Sequence, residues 1–251
     1  MVMQNPFQRL LRSILLLILM ASLTGCFYWW RTYQTYRQLS YFDENFSITN
    51  TDSFALNFKK PRLYSEDFVS LAKLRPTSEE KIEQGLLWQY DFNKVDAKGV
   101  LVSPEISFFV NLAFNQDDHI VSCTFSPLFL QIIPAEFLEI SIRSVAKGEI
   151  NKQSRQLKVD TAKVDKISSA LPLKQAIVAK LGEPAEVTET KLEHIYIYHF
   201  LLNAHDIEDG YEDRALNVIK LYFNKASDEM VKMSGSFAGL KISIDYRNYK
   251  K

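Results

Sequence analysis

Two cysteines, four histidines and one acid-rich stretch are the residues of this 251-residue chain whose types could do more than pack. Cys26 ends the run Leu23-Thr24-Gly25-Cys26, where small residues sit directly ahead of a thiol, as a processing site needs. The stretch 203–213 carries His205, Asp206, Glu208, Asp209, Glu212 and Asp213 around Gly210, oxygen ligands of the kind that hold Ca²⁺. Its spacing lacks the one-three-five alternation of a calcium loop and Tyr211 interrupts it, so it reads as a long, solvated strand connection. His194 and His199 bracket a strand and, an odd number apart, face opposite sides of a sheet, while His119 falls in a turn. No His-Glu-x-x-His spacing, clustered cysteines, Gly-x-Ser-x-Gly or phosphate-cradling glycine loop appears. The chain therefore offers no catalytic, cofactor-binding or metal-binding residue to assign, although two carboxylates could still converge in space.

What precedes Cys26 gives its thiol a chemistry. Arg9 and Arg12 lead into an apolar run, and no acidic residue occurs before Asp43. With the small residues that follow, this is the layout of a secretory signal. Leu23-Thr24-Gly25-Cys26 resembles the lipobox of bacterial lipoproteins. The resemblance implies cleavage before Cys26 and attachment of a diacylglycerol and fatty acids such as palmitate there. Phe27, where some Gram-negative lipoproteins carry Asp, implies an outer-membrane destination facing the periplasm. The alternative is an uncleaved single-pass anchor, since the stretch 14–30 is almost continuously apolar and ends in Trp29-Trp30-Arg31. Ser22, Thr24 and Gly25 weaken it as a span.

Beyond Cys26 the composition is that of a folded domain, with 47% hydrophobic and 24% charged residues. Basic and acidic residues number 30 each, so losing Arg9 and Arg12 leaves the mature chain slightly acidic, which argues against a nucleic-acid partner. Lipidation of Cys26 leaves Cys123 without a partner, and a lone thiol in an exported protein is expected to be a small buried hydrophobe.

The elements that follow are an aromatic stretch and two similar units. Phe27, Tyr28, Trp29, Trp30, Tyr33, Tyr36, Tyr41, Phe42 and Phe46 crowd the first residues after the cysteine. They either sit at the level of lipid headgroups or pack across the folded body. Further on, Trp88-Gln89-Tyr90-Asp91-Phe92 and Tyr196-Ile197-Tyr198-His199-Phe200 are 108 positions apart, as are Pro76 and Pro184. With slippage, Leu112-Ala113-Phe114-Asn115 matches Leu221-Tyr222-Phe223-Asn224, and Cys123 falls opposite Met233. The predicted fold is α+β: two tandem repeats, each a short helix packed on an antiparallel β-sheet, after an N-terminal lipoprotein signal peptide. Phe137, Leu138, Ser141, Ile142 and Val145 predict the inward stripe of a connecting helix. The chain divides into a leader over 1–25, a membrane-proximal tether over 26–52, a first unit with its connecting helix over 53–150, a linker over 151–166 and a second unit over 167–251.

Leu181-Gly182-Glu183-Pro184 after a helix, then Tyr-x-Tyr on a strand and a hairpin turning at Phe-Asn, resembles the fold of the small outer-membrane lipoprotein family BamE (SmpA/OmlA). Its tandem version is the β-lactamase inhibitory protein. The first unit departs from the pattern, with Leu74-Arg75-Pro76 lacking the glycine. The resemblance implies a lipid-anchored, non-catalytic protein-binding or scaffold module of the cell envelope, with envelope proteins as partners and a role in outer-membrane assembly or maintenance. It carries over no binding residue. The alternatives are an inhibitor of a periplasmic enzyme, and a lipid-anchored ligand-binding protein or hydrolase.

Overall fold

The structure, a computed structural model, describes residues 28–51, 53–151, 153, 156–160, 170–237 and 240–248. The leader 1–25 and Cys26 lie outside the described residues. A helix over 28–38 (α1) leads through a 3-10 turn into α2 (Phe42–Asn45) and the hairpin β1 (Phe46–Thr49) and β2 (Phe54–Phe58). Helix α3 (Ser65–Ala72) precedes β3 (Ser78–Ile82), β4 (Gly85–Val95), β5 (Ser107–Asn115) and β6 (Ile120–Phe125). Helices α4 (Leu128–Ile132) and α5 (Ala135–Val145) carry the chain to β7 (Glu149–Asn151) and β8 (Gln156–Asp160). The rest is α6 (Lys174–Leu181), β9 (Glu186–Glu189), β10 (Glu193–Leu202), β11 (Leu216–Asn224), β12 (Met230–Phe237) and β13 (Leu240–Asp245).

The fold is mixed α+β and dominated by one thirteen-stranded sheet, ordered β1-β2-β6-β5-β4-β10-β11-β12-β13-β8-β7, with β3 added to β4 and β9 to β10. All pairs are antiparallel except β8 with β13. Within the stretch read as a linker, Gln156–Asp160 is therefore a strand. Leu157 and Val159 alternate with charged residues there, and both are buried in the core.

Alternation decides which face is buried. Trp88, Tyr90 and Phe92 of β4 stand opposite Leu112, Val110 and Phe108 of β5. This aromatic face joins Tyr198, Phe200, Leu221 and Phe223 in a core covered by Phe68 and Val69 of α3, Ile177 and Leu181 of α6, and Phe137 and Ile140 of α5. Phe114 and Phe223 are fully buried, each contributing about 2–3 kcal/mol through the water it leaves. In α5 the inward stripe is Phe137, Ile140, Ser141 and Ser144, so the stripe read from sequence is rotated. Both serines tolerate burial because their hydroxyls donate to backbone carbonyls of their own helix, at 2.7 Å each. Ser141 also meets the Tyr246 hydroxyl at 3.0 Å.

Helices α3 and α6 end in different backbone forms, only one of which calls for glycine. Helix α6 stops at Gly182 with φ 65° and ψ −170°, a conformation essentially reserved for glycine. Helix α3 stops at Lys73 with φ 64° and ψ 28°, the left-handed helical region, which other residues enter at modest cost. The stop is present in both places, in two backbone forms.

At the centre of the sheet β4 and β10 pair antiparallel, with Phe92 opposite Leu202, Asn93 opposite Leu201 and Val95 opposite His199. Two buried cations flank this seam. Lys94, on the inward face of β4 and 4% exposed, donates to the carbonyls of Leu181 and Glu183 at 2.5 Å each, at the C-terminal end of α6. Arg214, 8% exposed, donates to the carbonyls of Leu71 and Ala72 at 2.9 Å each, at the C-terminal end of α3. Helix C-termini present unpaired carbonyls and a partial negative charge, so each cation satisfies what the helix leaves open. Burial pulls the Lys94 ammonium below its ordinary pKa. Each half of the chain thus caps a helix of the other. Lys94→Met and Arg214→Met should each lower the free energy of unfolding by about 2 kcal/mol, since each strands two carbonyls. Urea denaturation measures this, and a loss under about 0.5 kcal/mol would show that water replaces the cation.

Candidate functional site

The residues with chemical potential do not converge. Cys123 is a free cysteine on the helix-covered face of β6, paired in register with Leu112 and Leu56. Burial alone pushes its thiol up to about 12, so at neutral pH it carries no thiolate to react. Met233 pairs with Leu221 on the same face, and both Cys123 and Met233 pack partly buried against the core. His194 pairs with Glu189 of β9 and His199 with Val95 and Val218, on opposite faces of β10. The His119 ring packs tilted at 40° against Tyr64, with ring centroids 4.2 Å apart. Among the described residues no three His, Cys, Asp or Glu side chains gather as a metal would require.

The acidic connection 203–213 does not hang free as the sequence suggests. Ile207 forms a β-bridge with Leu74. The Arg75 amide donates to Asp206 O at 2.8 Å, His205 N to Pro76 O at 3.0 Å and Glu208 N to Lys73 O at 3.0 Å. Lys73 Nζ meets the Glu208 carboxylate at 2.9 Å. Four consecutive residues of the first half are gripped by a loop of the second. Its acids serve solubility and this grip, and the sequence signal for the latter is Ile207, the one aliphatic residue larger than alanine in the stretch.

The other face of the sheet is partly open, being covered at the seam, where Val95 and Ile197 are buried. In the first half it carries Gln89, Asp91, Asn93, Asn111, Ser122 and Thr124, opposite in parity to the aromatic core residues. In the second half it carries Lys220, Lys232, Lys241 and Lys158, on four strands adjacent in the order β11, β12, β13 and β8. Lys232 lies over the Tyr222 ring at 4.7 Å. Leu201 and Leu216, both 40% exposed and opposite each other, give the middle of this face an apolar step. Beside the seam lies an open cleft of about 530 Å³, lined by Asp91, Asn93, Glu105, Ser107, Ser126 and Asn203 among others. Its lining holds no histidine or cysteine, and the buried Ser126 hydroxyl has no hydrogen-bond partner.

The aromatic stretch after Cys26 packs on the body, on one side only. Arg31 Nε donates to Asp67 Oδ2 at 2.7 Å in a two-pronged ion pair, and the Arg31 guanidinium lies 4.9 Å over the Tyr64 ring. Asp67 is 2% exposed and also accepts from the Tyr64 amide at 2.9 Å. The hydrogen bond to Asp67 holds the Arg31 pKa above its ordinary value. Gln38 Nε2 donates to Lys60 O at 3.0 Å, and Arg62 donates to Gln34 Oε1 at 3.1 Å. Phe42 and Phe46 are buried. Trp29, Trp30 and Tyr33 point away, each more than half exposed. No helix among the described residues is long and apolar enough to cross a membrane.

No family model, curated protein or solved structure matches the chain. In the folded protein at pH 8, a thiol reagent should leave Cys123 unmodified and label it once the chain is unfolded in urea. Above pH 9 the unfolded chain releases this proton first, so stability should fall as pH rises from 9 through about 12. Rapid labelling of Cys123 in the folded state would contradict its placement.

Proposed function

We propose that this chain is a lipid-anchored, non-catalytic binding module of the bacterial cell envelope, tethered through Cys26 to the outer membrane on its periplasmic side. It consists of two tandem copies of one helix-and-sheet unit, and its partners are envelope proteins. The resemblance to the BamE family and the tandem β-lactamase inhibitory protein belongs to this reading.

Several irregular features support the tandem copies because they recur at matching places. The ladders of β5 with β6 and β11 with β12 shift register after Ala113 and after Tyr222. Asp118 and Asp228 both have positive φ. The isolated bridges Tyr64 with His119 and Leu173 with Glu229 also correspond. Asn93 and Leu201, 108 positions apart, pair with each other at the seam. Antiparallel pairing of equivalent residues is what a local two-fold axis produces.

The observation that carries the binding function is the partly open sheet face. It is polar in the first half and lysine-rich in the second, where Leu201 and Leu216 stand exposed beside the lysines. A partner with an acidic surface beside an apolar patch complements it. The cleft beside the seam favours a second reading, a small polar ligand held by Asp91, Asn203 and the unpaired Ser126 hydroxyl.

A photo-crosslinking residue placed at Lys220 or Leu201 in living cells should capture a discrete envelope protein, and one placed at Glu139 on α5 should not. Lys220→Glu combined with Lys232→Glu should cut capture from Leu201 by about tenfold, as reversed charge in a binding face does. Equal capture from both faces, or none from the open one, would contradict the proposal.

A further inference from the structure

The outward face of α1 has the composition of a membrane-interface surface. Positions 29, 30, 33 and 37 are exposed and share one side of the helix, while Arg31, Gln34 and Gln38 bond to the body. The face carries Trp29 at 52%, Trp30 at 58% and Tyr33 at 51% exposure. Three large amphipathic rings kept in water on a helix otherwise fastened to the fold need an occupant.

Two independent observations say which. The first is where the chain outside the structure ends: Trp29 follows Cys26 by three residues, so its Cα lies at most about 10 Å of chain from whatever holds Cys26. The second is charge. Gln34 and Gln38 fasten α1 to the segment 60–62, which brings exposed Lys59, Lys60 and Arg62 alongside the ring face that Arg37 ends. Trp and Tyr prefer the headgroup level of a bilayer, and basic residues beside them attract anionic lipids.

We propose that Trp29, Trp30 and Tyr33 insert into the headgroup region of the anchoring bilayer, with Arg37, Lys59, Lys60 and Arg62 contacting anionic phospholipid. This rests on the tether reading above and deepens it. Because Arg31 and Asp67 lock α1 to α3, insertion fixes the tilt of the whole body to the membrane. The tether is then a rigid mount, and the open sheet face is held at one orientation.

The full lipid-modified protein, reconstituted in vesicles of phosphatidylcholine and phosphatidylglycerol brominated near the headgroup, tests this by tryptophan fluorescence. The chain has three tryptophans, and Trp88 is buried in the core. Quenching should remove about half or more of the emission, because two of the three rings lie at the interface. Trp29→Ser with Trp30→Ser should still float with vesicles and show an unquenched Trp88. Lys59→Ser, Lys60→Ser and Arg62→Ser together should reduce quenching in anionic vesicles and leave it unchanged in neutral ones. Flotation without quenching overturns this proposal alone. Shielding of the tryptophans that rises with protein concentration and ignores lipid also overturns it, in favour of a second copy as occupant. Failure to float overturns the tether reading and this proposal with it.

Discussion

The reciprocal capping of helices across the β4–β10 seam is the interaction the structure depends on. That seam pairs only the ends of two long strands, Phe92 to Val95 with His199 to Leu202. Four residue pairs are little to hold two halves in one sheet. Lys94 and Arg214 add charged donors to four carbonyls, at or just past the C-terminal end of a helix belonging to the opposite half. Removing either cation leaves buried acceptors unpaired, which costs more than the bonds themselves contribute. The grip of the 203–215 connection on residues 73–76 closes the same joint from outside.

Much of the fold was legible because it follows local rules. Trp88, Tyr90 and Phe92 alternate, so β4 and its inward face could be read directly. Tyr196, Tyr198 and Phe200 alternate in the same way on β10, and the alternation of Val121, Cys123 and Phe125 put the thiol on one face of β6. The rest depends on contacts between distant residues. Lys94 continues the inward series of Trp88, Tyr90 and Phe92, an inconsistency that marks a buried charge but does not name its partner. The strand at Leu157 and Val159 is hidden by lysines and an arginine around it, and only pairing with β13 reveals it. The acidic loop looked solvated because acids dominate it, while Ile207 and its backbone do the docking.

Rigidity links the two proposed surfaces. Arg31 and Asp67 fasten the first helix to α3, Arg214 fastens α3 to the second half, and Lys94 fastens α6 to the first. A body joined in this way would transmit the orientation of the helix proposed to face the membrane to the sheet face proposed to dock a partner. A lipoprotein with a long unstructured tether would present its binding face in every direction. Here the chain forms a helix within two residues of Cys26.

The proposed anchoring and the proposed membrane mount both depend on the chemistry of Cys26. Intact-mass measurement of the protein extracted from membranes of its native host tests it most directly. The expected result is a chain beginning at Cys26 and carrying the added mass of a diacylglycerol and fatty acid. A mass that retains residues 1–25 and carries no lipid would contradict it.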